Sequence, residues 1–342
     1  MAKHHLDDAQ PHAFWDNEYP PRARIRPGDT VVFETLEASA NQVTPQSSDE
    51  AVAHLDFTPI HPLTGPVYVE GAEPGDALEV EIVSIKNKGW GWNAVIPGFG
   101  LLANDFANPY LHHYKLGRTH CEFREDIRIP YEPFCGVMGV APREPGRINT
   151  IPPRENGGNI DIRHLTSGAK VLFPVLAPGA LFSCGDVHSA QGDGEVNGTG
   201  VETPATVTLR FRLMKDANFP ELRFTTPAGK KLTVADEEGY FVTTAHGPDL
   251  FQDAQQAVRY MIDYLSSERS MMREQAYCLC GAAVDLKISE IVDAPNWIVS
   301  AYLPLSIFAK PKLALPRRAP AKKARAKPAV KGIRKTRRPR GI

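Results

Sequence analysis

Long apolar segments are missing from this 342-residue sequence. No run of about eighteen or more apolar residues occurs, so we expect no transmembrane helix. The first residues, Met1-Ala-Lys-His-His-Leu-Asp-Asp, lack the apolar stretch of a secretory signal. Cysteine is also scarce, and its count of five, an odd number, favours free thiols in a reducing compartment. These absences predict a cytoplasmic protein with no membrane association.

Signatures of covalent catalysis are absent as well. The sequence has no Gly-Gly-Ser-Ser-Gly-Gly loop and no Cys-Glu-Lys arrangement that would supply an activated nucleophile. Cys135 and Cys184 lie in apolar stretches, which raise the pKa of a thiol and weaken it as a nucleophile. Cys278-Leu-Cys280 lacks the spacing and the second pair of a zinc ribbon, and it indicates packing within a helix.

Acidic residues are absent from residue 310 onwards, where seven lysines and seven arginines occur. Removing these fourteen from the 39 basic residues leaves 25 basic against 40 acidic residues, a formal charge of −15 for residues 1–309. We therefore expect an acidic body over residues 1–309 and a basic tail over residues 310–342 that is disordered in the free protein. Such a tail is expected to bind polyanions weakly, because counterion release depends on charge alone.

Hydrophobic periodicity along the body is mostly that of β-strands. Ala77–Ile82 and Thr206–Leu213 alternate between apolar and polar residues, which is typical of strands with one buried face. Helical patterns are confined to residues 249–282, where Asp249 and Gln252 predict a capping box at the start of the first helix. The predicted fold class is α+β, mainly β, with the helices late in the chain.

Two segments without periodicity, residues 38–53 and 87–110, are predicted as long loops. The first contains Asn41-Gln42, whose role the sequence leaves open. The second contains Trp90 and Trp92, which either line a pocket or, more often in such loops, pack at the base.

The stretch Leu181–Glu195 concentrates polar chemistry. Asp186 and His188 lie two residues apart in an extended segment and therefore project from the same face. Asp193 and Glu195 repeat this spacing after a glycine-rich bend. Carboxylates and an imidazole are costly to gather without a positive charge. A divalent metal among them is the simplest explanation, with one carboxylate left to handle protons.

A second polar cluster precedes this stretch. Asn159 and Asp161 follow Gly157-Gly158, where the backbone can approach a ligand closely. The pattern from residue 168 to residue 183 indicates a hairpin that leads into the first cluster. If these strands pair as neighbours, Asp161 and the Asp186/His188 pair lie at the same side of a sheet. Shorter strands are expected near residues 222–226, 231–234 and 240–244.

Two simpler interpretations compete with a metal site. Asp193-x-Glu195-x-Asn197-Gly198 imitates the start of an EF-hand, but Pro204 occupies the twelfth position, where a bidentate Glu is needed. We reject the EF-hand and keep calcium as a candidate ion. The other interpretation is a polar β-turn on a solvated surface, and the closeness of an imidazole to a carboxylate favours a site over it.

Three motifs in matching order resemble the acetamidase/formamidase family. They are Gly65-Pro-Val-Tyr-Val-Glu-Gly-Ala-Glu-Pro-Gly-Asp76, Gly157-Gly-Asn-Ile-Asp161 and Gly185-Asp-Val-His-Ser-Ala-Gln-Gly-Asp-Gly-Glu195. The resemblance covers roughly residues 5–309 and implies a β-rich sandwich with a helical layer. It also implies homo-oligomers and hydrolysis of formamide or acetamide to a carboxylate and ammonia. The basic tail has no counterpart in that family's pattern.

Amide hydrolysis needs a strong nucleophile, because nitrogen donates electrons into the carbonyl. Asp161, Asp186 and His188 are predicted to hold a metal that activates water. The mixed nitrogen and oxygen ligands favour zinc, with calcium as the runner-up. Either Glu195 or Asp193 is predicted as the general base that later protonates the leaving nitrogen.

The remaining predicted roles concern the substrate. Either Asn159 or the backbone N–H groups of Gly157-Gly158 would bind the oxyanion, and Gln191 and these glycines are assigned to substrate binding. Two other classes of function stay open: a ligand-binding protein on the same scaffold, without turnover, and a nucleic-acid-associated protein that acts through its basic tail.

Overall fold

The computed structural model describes residues 1–227, 238–291 and 295–309. Residues Met1–Ala309 form one compact unit, whose described residues are mainly β-strands in open sheets. The predicted α+β, mainly β sandwich with a late helical layer is thereby confirmed. The tail at residues 310–342 and the strand expected at 231–234 lie outside the described residues.

The described helices are α1 Asp49–Ala53, α2 Leu250–Arg269, α3 Arg273–Ala283 and a 3-10 turn at Leu305–Ile307. The described strands, in chain order, are β1 Lys3–Leu6, β2 Phe14–Trp15, β3 Ala23–Ile25, β4 Thr30–Thr35, β5 Leu63–Val69, β6 Ala77–Asn87, β7 Trp90–Val95, β8 Tyr110–Leu116, β9 His120–Arg124, β10 Ile127–Pro130, β11 Phe134–Gly139, β12 Ile148–Asn149, β13 Gly157–Asn159, β14 Lys170–Pro174, β15 Phe182–His188, β16 Glu202–Thr203, β17 Ala205–Met214, β18 Arg223–Thr225, β19 Tyr240–Gly247, β20 Asp285–Glu290 and β21 Trp297–Pro304. None of the helices in the described part of the chain is long and apolar enough to span a membrane.

Two large sheets form the sandwich. The first has the strand order β1-β4-β17-β6-β14-β18, and the second has the order β10-β9-β8-β7-β16-β15-β11-β13, with β5 pairing β15 and β3 pairing β5. A small three-stranded sheet, β19-β21-β20, lies beside the helices, and β2 pairs β12. The strand that carries Asp186 and His188 therefore lies inside the second sheet, with neighbours on both sides.

A cluster of phenylalanines holds the two large sheets together. Phe182 of β15 is fully buried and lies against three aromatic rings of the first sheet. Its ring centroid is 6.1 Å from that of Phe33, 5.9 Å from that of Phe173 and 5.2 Å from that of Phe211. Burial of these rings is non-directional but large, at about 1.5–3 kcal/mol for each side chain. These contacts hold β15 against the first sheet.

The helical layer packs on the other end of the second sheet. Tyr277 of α3 stacks on Phe106 with a centroid distance of 4.9 Å, and its hydroxyl accepts a hydrogen bond from the Leu102 backbone N–H at 2.8 Å. The Asp249 side chain caps α2 by accepting from two backbone N–H groups. The Gln252 side chain, however, donates from Nε2 to the Asp249 carboxylate. In the predicted capping box it would instead accept a hydrogen bond from the Asp249 backbone N–H.

Three sequence expectations about connections are wrong. The hairpin expected over residues 168–183 does not form, because β14 pairs with β6 in the first sheet while β15 belongs to the second. Residues 87–110 include the strand β7 as well as a loop, and residues 38–53 include the short helix α1. Strand pairing depends on contacts far apart in sequence, which a local pattern does not contain.

The phenylalanine cluster gives a stability prediction. Phe182→Ala should lower the free energy of unfolding by about 3–5 kcal/mol, because it removes a buried ring and leaves a cavity between rigid strands. Urea denaturation followed by circular dichroism measures this change. Phe224→Ala is the control, since Phe224 is 39% exposed on β18, and it should shift the value by no more than about 0.5 kcal/mol. Equal losses in the two variants would contradict the assignment of Phe182 to the sandwich core.

Candidate active site

The candidate site is built on β15, in which every residue is buried. His188 at its end is paired in register with Phe134 of β11 on one side and with Glu202 of β16 on the other. Directly opposed residues of antiparallel strands project from the same face. Strand pairing therefore brings the Glu202 carboxylate next to the His188 imidazole, although the two residues are not close in the sequence.

Gln191 fixes the orientation of the His188 ring. The Gln191 amide donates from Nε2 to the Asp161 backbone carbonyl at 2.9 Å, which turns its Oε1 towards His188 Nδ1 at 2.7 Å. His188 therefore carries a hydrogen on Nδ1 and presents the lone pair of Nε2, when neutral, to the site. Gly200 leaves room for the ring, since a Cβ there would lie 2.4 Å from His188 Nδ1.

Four carboxylates surround this buried imidazole. His188 Nε2 lies 3.2 Å from Glu202 Oε2, 3.5 Å from Asp186 Oδ2 and 3.9 Å from Glu195 Oε1. His188 Nδ1 lies 3.9 Å from Asp161 Oδ1. The expected meeting of Asp161 with the Asp186/His188 pair is therefore observed, and Glu195 and Glu202 join it.

The backbone is strained where these acids converge. Asp161, Asp186 and Glu195 have φ values of 45°, 50° and 44°, in the left-handed region that non-glycine residues rarely adopt. Gly136 on β11 lies beneath two of the carboxylates, since a Cβ there would be 2.6 Å from both Asp161 Oδ1 and Asp186 Oδ2. Asp186 lies within a strand and Asp161 outside any turn, and left-handed residues in such positions cluster at functional sites, where the surrounding fold maintains them.

Burial and mutual repulsion shift the pKa values of the acids. Burial and the nearby Asp186 carboxylate raise the pKa of Asp161 to about 7 and that of Glu202 to about 8, although the His188 imidazole acts in the opposite direction. Burial and the neighbouring Asp161 raise the pKa of Glu195 well above its usual range. In His188, burial lowers the pKa, but the Glu202 and Asp186 carboxylates outweigh it and raise the value. Asp186 differs from these acids: burial would raise its pKa, but the neighbouring His61 and His188 outweigh burial and lower the value.

Several acceptor atoms in the cluster have no hydrogen-bond partner. Asp161 Oδ1, Asp186 Oδ1 and Asn159 Oδ1 are buried and unpaired, and Glu202 Oε2 has only His188 Nε2 beside it, at 3.2 Å. Buried oxygens in such numbers are costly without a positive partner. Two groups of three residues, Asp161/Asp186/His188 and His188/Glu195/Glu202, each have ligand atoms within 4.8 Å of one another. Carboxylate oxygens and one imidazole nitrogen at this spacing fit a divalent cation.

A cavity of about 530 Å³, open at its mouth, leads from the surface to this cluster. Asn159, Asp186, Glu195 and Glu202 line its polar end. His61 lies on the same wall, with its Nε2 3.8 Å from Asp186 Oδ2 and its Nδ1 unpaired. Reactive groups that are open to a pocket and otherwise buried are typical of an active site.

Glu37 and Trp92 secure another wall of the cavity. The buried Glu37 carboxylate accepts hydrogen bonds from Trp92 Nε1 at 2.9 Å, from Ser39 N at 2.9 Å and from Ser39 Oγ at 2.8 Å. Burial raises the pKa of Glu37, and these donors oppose the shift. Trp92 lines the cavity and also packs in a core cluster, so both interpretations of this residue hold. Gln42 exchanges two hydrogen bonds with the Asp56 backbone and ties the same loop.

Three groups of predicted site residues lie away from the cavity. Asp193 is in a turn, with its Oδ1 4.0 Å from His164 Nε2, and does not share a face with Glu195. Gly157 packs on Phe173 in the sandwich core, since a Cβ there would lie 2.7 Å from that ring, and neither Gly157 nor Gly158 lines the cavity in the described structure. Gln191 uses its amide to hold His188, as described above.

The sequence reasoning missed Glu202 and His61. Glu202 follows a glycine-rich loop as an isolated acid before an apolar strand, and His61 precedes a proline at the start of β5. Neither residue lies at a short, regular sequence spacing from another predicted metal ligand. Their contribution depends on β16 pairing with β15 and on β5 lying against β15, and both are contacts between distant segments.

Comparison with known proteins places this geometry in a family. The model of the "Acetamidase/Formamidase family" matches residues 2–145 and 143–310. A formamidase of Methylophilus methylotrophus is 28% identical over 88% of this chain and 90% of that protein. An acetamidase structure from Bacillus halodurans is 34% identical, with a TM-score of 0.62, over 88% of this chain and 97% of the other.

A further structure, described as a gamma lactamase from Delftia acidovorans, is 25% identical and covers 90% of this chain and 93% of its own. Its TM-score of 0.82 shows that the two proteins share a fold. The family model covers nearly all of residues 1–309, including every residue of the acidic cluster. The chain therefore belongs to the acetamidase/formamidase family and is an amidase.

Proposed function

We propose that this protein hydrolyses a carboxamide to a carboxylate and ammonia at the cluster around His188. The observation that carries the proposal is the convergence of four carboxylates within 3.9 Å of one buried imidazole, at the polar end of an open cavity. The relatives named formamidase and acetamidase, and the structure named gamma lactamase, support cleavage of an amide C–N bond.

We infer that a divalent cation belongs to this cluster, held by Asp161, Asp186 and His188, with Glu202 beside them. The unpaired buried oxygens of Asp161 and Asp186 support this inference. A bound cation supplies a nucleophilic water near neutral pH and polarises the amide carbonyl. One nitrogen ligand among oxygen ligands favours zinc, and calcium is the alternative for an oxygen-rich site.

Glu195 is our candidate for the general base. Its side chain lines the cavity and is one-fifth exposed, whereas Asp186 and Glu202 are fully covered. Glu195 would take a proton from the attacking water as the new C–O bond forms, and would return it to nitrogen as the C–N bond breaks. Asn159, the predicted oxyanion residue that does line the cavity, would donate from Nδ2 to the carbonyl oxygen.

The cation is tested by removing it. Dialysis of the purified protein against a chelator should abolish ammonia release from formamide and acetamide, and added zinc or calcium should restore it. Without the cation the acids repel one another, and nothing in the cluster polarises the amide carbonyl. Elemental analysis of the purified protein identifies the metal. Full activity in protein shown to be metal-free would contradict the inferred cation.

The general base is tested by comparing the two predicted carboxylates. Glu195→Gln should lower kcat by roughly 10²–10⁴ and leave the metal content unchanged, because the side chain keeps its size and loses its basicity. Asp193→Asn should cause a far smaller loss, since Asp193 faces His164 rather than the cavity. Metal loss in Glu195→Gln would make Glu195 a ligand, and an unchanged kcat would remove it from the chemistry.

The role of Gln191 is tested separately from catalysis. Gln191→Leu removes the acceptor that fixes the His188 tautomer, so metal affinity should fall about 10–100-fold. Competition with a chromophoric chelator measures this affinity directly. Gln191→Glu keeps an acceptor and should retain more of the affinity than the leucine variant. Equal affinity in the leucine variant and the wild type would show that Gln191 does not position His188.

A further inference from the structure

The cavity that leads to the acidic cluster extends beyond its polar end to residues on several loops. The space between the lining residues is about 530 Å³, including the part that is open to solvent at the mouth. A very small amide has the volume of only a few water molecules, at about 30 Å³ each. A substrate of that size would touch only the polar end of the cavity.

Most of the remaining lining is apolar. The apolar side chains away from the acidic cluster come from the loops before β5, after β7 and after β12, and they are Leu55, Phe57, Ile60, Ile96, Phe99 and Ile151. Trp92 adds an aromatic wall that is fixed by its hydrogen bond to Glu37. The cavity therefore has two parts: a polar end, where amide chemistry is possible, and an apolar part nearer the mouth.

Two phenylalanine rings stand together in the apolar part. Phe57 and Phe99 have ring centroids 6.0 Å apart at an angle of 60°, and they remain 38% and 37% exposed. Phe99 is held in place by Gly198, where an added Cβ would lie 2.6 Å from its ring. Gly198 follows Glu195 in the same turn, so the aromatic pair is built onto the segment that carries the candidate base.

The charged side chains that line the cavity also limit which substrates can bind. Of the residues that the structure describes, no lysine or arginine lines it, while Asp186, Glu195 and Glu202 do. An anionic group in the apolar part of the cavity would lose hydration there and would have no lysine or arginine partner among the described residues.

We propose that the enzyme acts on uncharged amides that carry an apolar group of about the size of a phenyl ring. This inference rests on the proposed amide hydrolysis. The amide lies at the Glu195 end, and the apolar group packs between Phe57, Phe99 and Ile151. Burial of such a group in the cavity raises kcat/KM over that for acetamide by roughly 10–100-fold, as hydrophobic pockets do for added apolar surface.

The test compares phenylacetamide with acetamide and with 4-carboxyphenylacetamide, which has a similar size and a negative charge. The full-length protein, as purified with its metal, should show kcat/KM for phenylacetamide about 10–100 times that for acetamide, and at least as great an excess over the anionic analogue. In Phe57→Ala and Phe99→Ala the phenylacetamide-to-acetamide ratio should fall about tenfold or more. Phe224→Ala, with matched exposure on β18, should keep the wild-type ratio.

The outcomes separate this inference from the function on which it rests. Hydrolysis of acetamide with no preference for phenylacetamide would overturn the inference and leave the amidase function intact. No hydrolysis of any amide by metal-loaded protein would overturn the function itself. The exposed aromatic pair could instead contact a second copy of the protein, and light scattering on the same variants tests this alternative. If Phe57→Ala dissociates an oligomer without changing the phenylacetamide-to-acetamide ratio, the pair is an interface between copies and the inference is wrong.

Discussion

The structure depends on the attraction between one buried imidazole and the carboxylates gathered around it. His188 can offset one negative charge, whereas Asp161, Asp186, Glu195 and Glu202 all approach within 3.9 Å of its ring. In a protein interior such an excess of negative charge is strongly unfavourable. A fold that holds these groups together therefore stabilises them by another cation or keeps some of them protonated.

The sandwich makes this arrangement possible by rigidity. The phenylalanine cluster around Phe182 holds one end of β15, and pairing with β11 and β16 fixes the other end at His188. Helix α3 and strand β20 then hold the segment that carries Glu195. Gly192 donates from its backbone N–H to the Gly281 carbonyl of α3 at 2.8 Å, and Leu286 donates to the Asp193 carbonyl at 2.9 Å. The left-handed backbone at Glu195 persists because elements on both sides of the turn over-determine it.

Sequence reasoning reached the parts of the site that local spacing encodes. Asp186 and His188 lie two apart on one strand, so the alternation of side chains was enough to place them together. The same reasoning extended the alternation to Asp193 and Glu195 and failed, because those residues lie in a turn, where alternation has no meaning. Glu202 and His61 were missed because strand pairing alone brings them in.

The sequence by itself determined the mainly β class, the late helices, the family and three of the four acids around His188, because periodicity, capping residues and short motifs are read from neighbouring residues. Only the tertiary structure decided which acid faces the cavity, which atoms lack partners and which glycines make room for them. It also turned Gln191 from a presumed substrate contact into the residue that orients His188. These features depend on contacts between segments far apart in the chain, and their geometry is set when the two sheets pack and exclude water.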